Sequence, residues 1–170
     1  MGDIDKHAFV CKYNPHHDEI VERHDYRGDL LPCESYHYKG GNWTEVGNMC
    51  VKGYKSKESW AVAEDYCRHQ SHLENLVSIH TMNENNAILH EAARRKNSTY
   101  IFKLSVTEVS KDPIWIGMTR YDMQGWQWVD RSPVTFEKWA SGSPNGTRKE
   151  GLDCTVINQS GNWQDVDCEK

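Results

Sequence analysis

The sequence predicts an α+β domain: two helices flanking antiparallel sheets, with one long irregular loop region. Three observations carry this. Helical periodicity occupies two stretches between residues 56 and 96. Runs rich in β-branched and aromatic residues lie before and after them, bounded by Gly, Pro and Asn. From Asp130 to Leu152 periodicity fades, and Pro133, Gly142, Pro144 and Gly146 accumulate.

In chain order, Ala8 to Tyr13 has strand composition. Phe9 and Cys11 face one way, and Asn14-Pro15 stops the run. Gly40-Gly41 and Gly47-Asn48 are turn signals around a short strand at Asn42 to Val46, and Met49 to Tyr54 is the next strand. A helix begins near Ser56 to Ser59 and runs to about His69, with Trp60, Ala63 and Cys67 on one face. Leu73 to Ile79 leads into a second helix. Thr81 is its N-cap, Glu84 completes a capping box, and Ile88, Leu89 and Ala92 form the buried stripe. Arg94, Arg95 and Lys96 suit its negative end. Asn97 to Asp112 reads as an elaborated connection with strand character at Tyr100 to Val106, and Pro113 to Met118 as a buried strand. Phe136 and Trp139 would pin the long loop. Last comes Cys154-Thr155-Val156-Ile157, a polar turn at Asn158-Gln159-Ser160-Gly161, and a short strand at Trp163-Gln164-Asp165.

Composition narrows the function. A chain of 170 residues can bury one real core. Its net charge of −5 gives no argument for nucleic acid or an anionic membrane surface. No apolar run approaches transmembrane length, and Met1 to Lys6 lacks a signal-peptide core. The six cysteines form no CxxC or CxxxC pair, so disulfides in an oxidising compartment are expected rather than zinc. Four Asn-x-Ser/Thr sequons, at Asn42, Asn97, Asn145 and Asn158, agree with an extracellular glycoprotein. His90-Glu91-Ala92-Ala93-Arg94 lacks the second histidine of a zinc-protease helix. GxSxG, P-loop and dinucleotide motifs are missing too, so no enzyme and no catalytic residue is predicted.

The ordered motifs Ile114-Trp115-Ile116-Gly117-Met118, Gly125-Trp126-Gln127-Trp128-Val129-Asp130, Phe136 with Trp139, and Cys154 through Trp163-Gln164-Asp165 to Cys168 resemble the C-type lectin-like domain family, in its long form. The resemblance implies an extracellular recognition module. It implies three disulfides: Cys154 with Cys168, Cys33 with Cys50, and Cys11 with Cys67.

One part is out of place. In that family a final strand with a context like Phe-Val-Cys-Lys follows the Trp-Asn-Asp segment, whereas here Phe9-Val10-Cys11-Lys12 stands at the front. Residues 1–13 then read as a displaced terminal strand, 14–32 as a charged, histidine-rich linker, and 33–170 as the lectin-like domain. A circular permutation explains this, because domain termini often lie close together. So does a cut through a tandem-domain receptor, which would leave a sheet edge to be filled. A domain-swapped dimer would satisfy the same groups.

The resemblance also implies a Ca²⁺ site in sugar-binding members, built from Glu-Pro-Asn or Gln-Pro-Asp, a Glu before the strand cysteine, and Asn-Asp after the Trp. Ca²⁺ requires six to eight hard oxygens. Here Ser143-Pro144-Asn145 replaces the first set, Leu152 stands before Asp153-Cys154, and Gln164 replaces the Asn while Asp165 is kept. Glu150 could substitute for Leu152 after a loop shift. The ligand-binding candidates are Ser143, Asn145, Glu150, Gln164 and Asp165, and the metal candidates are Asn145, Glu150, Asp153 and Asp165. No tightly bound cofactor is expected, and Ca²⁺ no tighter than about 10⁻⁴–10⁻³ M. A glycan on Asn145 would cover the site. In the linker, His16, His17 and His24 with Asp18 or Asp25 read as a solvated connector rather than a metal site. Arg27-Gly28-Asp29 is the integrin-recognition tripeptide, which arises by chance and acts only on an exposed, kinked loop. Trp115, Trp126, Trp128 and Trp163 have strand spacing, so core packing is expected over sugar stacking.

The sequence thus predicts a module that binds an extracellular protein or glycan without the usual Ca²⁺ cage. A Ca²⁺-dependent carbohydrate-binding lectin with an atypical ligand set is the alternative. A structural unit of a multi-domain receptor is the third reading.

Overall fold

A computed structural model describes residues 6–13, 33, 43–47, 49–70, 74–93, 112–121, 124–145 and 152–168. The expected linker with its histidines and Arg27-Gly28-Asp29, the sequons at Asn42 and Asn97, the stretch Arg94 to Val106, and Glu150 lie outside the described residues.

The elements are β1 (His7–Tyr13), β2 (Thr44–Val46), β3 (Met49–Glu58), α1 (Trp60–Gln70), β4 (Glu74–Leu76), α2 (Met82–Ala93), β5 (Ile114–Tyr121), β6 (Gln127–Trp128), β7 (Leu152–Ile157) and β8 (Trp163–Asp167). The strands form one sheet in the order β2-β3-β1-β5-β7-β8, with β4 also on β1 and β6 on β5. Antiparallel pairing dominates, as expected, but β1 and β5 run parallel through Ala8↔Ile114 and Phe9↔Trp115. No tight turn links these two strands, so nothing forces them antiparallel.

β1 lies in the interior of the sheet. Phe9, Cys11 and Tyr13 join Trp60, Ala63 and Cys67 of α1 in one apolar cluster, while Val10 joins Ile88, Leu89 and Ala92 of α2 in the other. The alternation of a strand therefore gives each helix one face of the sheet. Burying Phe9 and Val10 is worth about 1.5–3 kcal/mol each.

The helix starts follow their caps. Ser59 Oγ accepts the Val62 N–H at 3.4 Å, so α1 begins at Trp60. β3 extends to Glu58, beyond the expected Tyr54, because His7 of β1 pairs with Glu58. Thr81 Oγ1 accepts the Glu84 N–H at 3.1 Å. The Glu84 carboxylate returns to the His80 N–H at 2.6 Å, one residue earlier than the expected capping box.

The disulfides are Cys11–Cys67, Cys33–Cys50 and Cys154–Cys168, the pairs implied by the resemblance. Gly117 lets β4 approach: a Cβ there would stand 2.5 Å from the Leu76 carbonyl oxygen. No helix among the described residues is long and apolar enough to cross a membrane.

A candidate recognition face on the long loop

Residues 129–145 contain no helix and one isolated bridge, Trp139↔Trp163, through which the loop runs parallel to β8. Trp163 N donates to Lys138 O at 2.7 Å and Ala140 N to Trp163 O at 2.8 Å. Phe136 and Trp139 meet the Trp163 ring edge-on, each at 5.8 Å, which is the pinning that the sequence predicts. Asn85 of α2 holds the same region. Its Nδ2 donates to Gly161 O at 2.9 Å and its Oδ1 accepts Trp163 Nε1–H at 2.8 Å.

Beyond this anchor the Ser143–Pro144 peptide is cis, and the Asn145 N–H donates to Asp165 Oδ2 at 2.7 Å. The structure thus brings Asn145 and Asp165 together, with Ser143 two residues away and Gln164 exposed on β8. The Asn145 side chain is exposed.

Strand register places the remaining groups. Asp153 lies opposite Asp167, and Thr155 opposite Asp165, while Arg120 of β5 lies opposite Asp153. Directly opposed residues share a sheet face, so these five side chains project on the same side. Asp153 is engaged by that arginine. Its Oδ2 accepts Arg120 Nη2–H at 2.5 Å and Nε–H at 3.1 Å, and the pair is 4% and 12% exposed. The guanidinium also sits 5.0 Å over the Trp126 ring, and Trp139 lies 4.8 Å from that ring. Trp126 is therefore occupied by its neighbours, and Trp115, Trp128 and Trp163 are buried in the core. Thr155 Oγ1 is buried with no hydrogen-bond partner among the described residues. No group of three or more His, Cys, Asp and Glu residues there is arranged to hold a metal ion.

Asn158 caps the β7–β8 turn: its Oδ1 accepts the N–H groups of Ser160 at 3.0 Å and Asn162 at 3.1 Å. Arg120 is a site residue that sequence reasoning missed. Its signal is a charged residue opposite Asp153, visible only once β5 and β7 are paired.

Residues 56–170 match the Lectin C-type domain family, more than half of the chain. Human Lymphocyte antigen 75 is 26% identical over 165 residues, 96% of this chain but 8% of that protein. The mouse low affinity immunoglobulin epsilon Fc receptor is 30% identical over 129 residues, 75% of this chain and 33% of its own. The mouse scavenger receptor C-type lectin carbohydrate-recognition domain shares the fold at a TM-score of 0.56, with 26% identity, covering 75% of this chain and 86% of that one. The chain thus spans a third or less of these two full-length relatives. Because the family match covers more than half of its residues, the chain belongs to the C-type lectin domain family.

Proposed function

We propose that this is an extracellular recognition module that meets a protein or glycan ligand through the long loop and β8 without a tight Ca²⁺ cage. The observation that carries the reading is the Arg120–Asp153 pair. A carboxylate at the expected cation site is already neutralised by a guanidinium from the next strand. Asp165 accepts a loop amide, Ser143 offers no carboxylate, and Leu152 no side-chain oxygen. These residues do not fit a cage of six to eight oxygens. The loop edge left for a ligand is Ser143, Asn145 and Asp165, with Glu150 as a candidate from the adjoining sequence; Gln164, next to Asp165 on β8, projects to the other face of the sheet.

The Ca²⁺-dependent reading keeps one supporting observation, the buried Thr155 hydroxyl opposite Asp165, an oxygen without a partner among the described residues. Binding to a glycan array with Ca²⁺ and with EDTA separates the two. Signal retained in EDTA is expected. Signal abolished by EDTA and restored by Ca²⁺, with micromolar Ca²⁺ affinity lost in Asp165→Ala, overturns the proposal.

The domain order has its own reading. One alignment with Lymphocyte antigen 75 takes in 96% of the chain, so it includes β1 in its present place. This supports the order of residues 1–13 before 33–170 as one shared with that relative, over a rearrangement particular to this chain.

A further inference from the structure

A polar cluster that the recognition face does not use sits at the root of the long loop. Lys12 of β1 is buried. Its ammonium donates to Ser78 Oγ at 2.6 Å and meets Asp130 Oδ2 at 3.2 Å. Ser78 Oγ stands 2.5 Å from Asp130 Oδ2, and Ser132 Oγ 2.5 Å from Asp130 Oδ1. The Ser132 N–H adds a bond to Oδ1 at 2.9 Å. His80 Nε2 lies 3.0 Å from Ser132 Oγ and 3.2 Å from Ser78 Oγ, and Nδ1 lies 3.5 Å from Thr135 Oγ1.

Counting protons fixes the tautomer. A carboxylate only accepts, so both seryl protons go to Asp130. Neither hydroxyl retains a proton for His80. Nε2 must therefore donate to them, and Nδ1 remains a bare acceptor toward Thr135. The neutral ring fits with every proton placed. A second ring proton is disfavoured. It adds a charge to a half-buried site that already holds the Lys12 ammonium, and it forces the Thr135 hydroxyl to reverse.

The charged groups facing His80 are Lys12 from β1, Asp130 from the turn after β6, and Glu84 from α2. Trp128 meets the ring edge-on at 5.9 Å. Burial pushes the imidazole below its ordinary range and Lys12 adds to this, outweighing Glu84 and Asp130. The unfolded chain therefore takes up the proton first. The stability tied to neutral His80 is full above about pH 6.5 and declines as pH falls below it.

We propose that His80 is a proton-operated latch on the long loop. Neutral, it holds the segment from Asp130 to Thr135 against β1 and the entry to α2; protonated, it releases that segment. Its role as a regulator of ligand binding rests on the loop being the recognition face. The latch itself does not.

Hydrogen exchange of amides 129–145, corrected for intrinsic rates, tests this at about pH 7.5 and about pH 5. A loss of loop protection is expected at the acid pH, with α1 and β7 amides unchanged. His80→Gln, which carries no ring proton to gain, is expected to hold its loop protection at one level. Ring ¹⁵N spectra should show the Nε2–H tautomer at the higher pH. Equal loop protection at both pH values overturns the latch, as does equal loss in parent and variant, or an Nδ1–H tautomer. Should His80→Gln not fold, the parent decides alone: the exchange step must follow the ring's own titration. No ligand enters these readouts, so their failure leaves the recognition reading standing.

Discussion

Replacing Arg120 by methionine keeps an apolar stem of similar length and removes the guanidinium. The Asp153 side chain is 4% exposed, so its carboxylate is largely shielded from water when the guanidinium is lost. Breaking a buried pair from one side costs about 3–5 kcal/mol. Loss of the guanidinium over Trp126 adds about 0.5–2 kcal/mol. Against a domain stability of about 5–15 kcal/mol, Arg120→Met should come close to unfolding a marginal fold. Asp153→Asn in the same chain removes the other charge of the pair. The double variant should recover most of the loss, with a coupling energy of about 2 kcal/mol or more. Urea unfolding followed by tryptophan fluorescence measures all four corners of the cycle. The coupling should survive high salt, because a buried pair is weakly screened. A single variant within about 1 kcal/mol of the parent refutes the reasoning, as does a coupling below about 0.5 kcal/mol. The variant also reports on metal. With its internal cation gone, Asp153 should let millimolar Ca²⁺ raise the unfolding midpoint more than it does in the parent.

Three other outcomes follow from the geometry. Joint replacement of Cys11 and Cys67 by serine opens a loop with a sequence separation of 56, and should cost about 4 kcal/mol in a thermal or urea melt. Asn85→Ala strands the buried Trp163 Nε1–H, while Gly161 O keeps the Lys138 ammonium at 3.2 Å; the change should cost about 1–3 kcal/mol and redshift tryptophan emission. Burial pushes the Asp130 carboxyl up, but Lys12 and the hydrogen bonds from Ser132 and Ser78 outweigh it and hold the group below its usual range. Its contribution is therefore complete above about pH 3.8 and fades as pH falls through the lower folded value; Asp130→Asn should flatten that acid limb of the stability curve.

Local chemistry made the helices legible. Ser59 and Thr81 cap them, and Trp60, Ala63 and Cys67, then Ile88, Leu89 and Ala92, mark their buried faces. The far end of β3 was not legible. Lys55, Ser56 and Lys57 are polar and exposed, and only pairing of His7 with Glu58 carries the strand that far. The candidate site divides in the same way. The family resemblance around Pro144 and Trp163 marked Asn145 and Asp165, which do meet. Arg120 and Lys12 escaped because a buried charge is defined by its partner. Those partners stand 33 and 118 residues away in the sequence. His80 escaped likewise, since its neighbours Ser78, Ser132 and Thr135 come from two separate segments.

The interior place of β1 sets a schedule for biosynthesis. Its Phe9, Val10 and Tyr13 leave the ribosome long before β5, and Lys12 waits 118 residues for Asp130. At about 5–20 residues per second, that wait is on the order of ten seconds. β3 can cover one edge of β1 early, but until β5 follows, part of the other edge of this apolar strand is open to holding chaperones and to strands of other nascent chains. α1 arrives earlier and brings Cys67, so oxidation with Cys11 can tether β1 before its parallel partner exists. Delay of the Cys11–Cys67 bond should therefore appear as aggregation during synthesis.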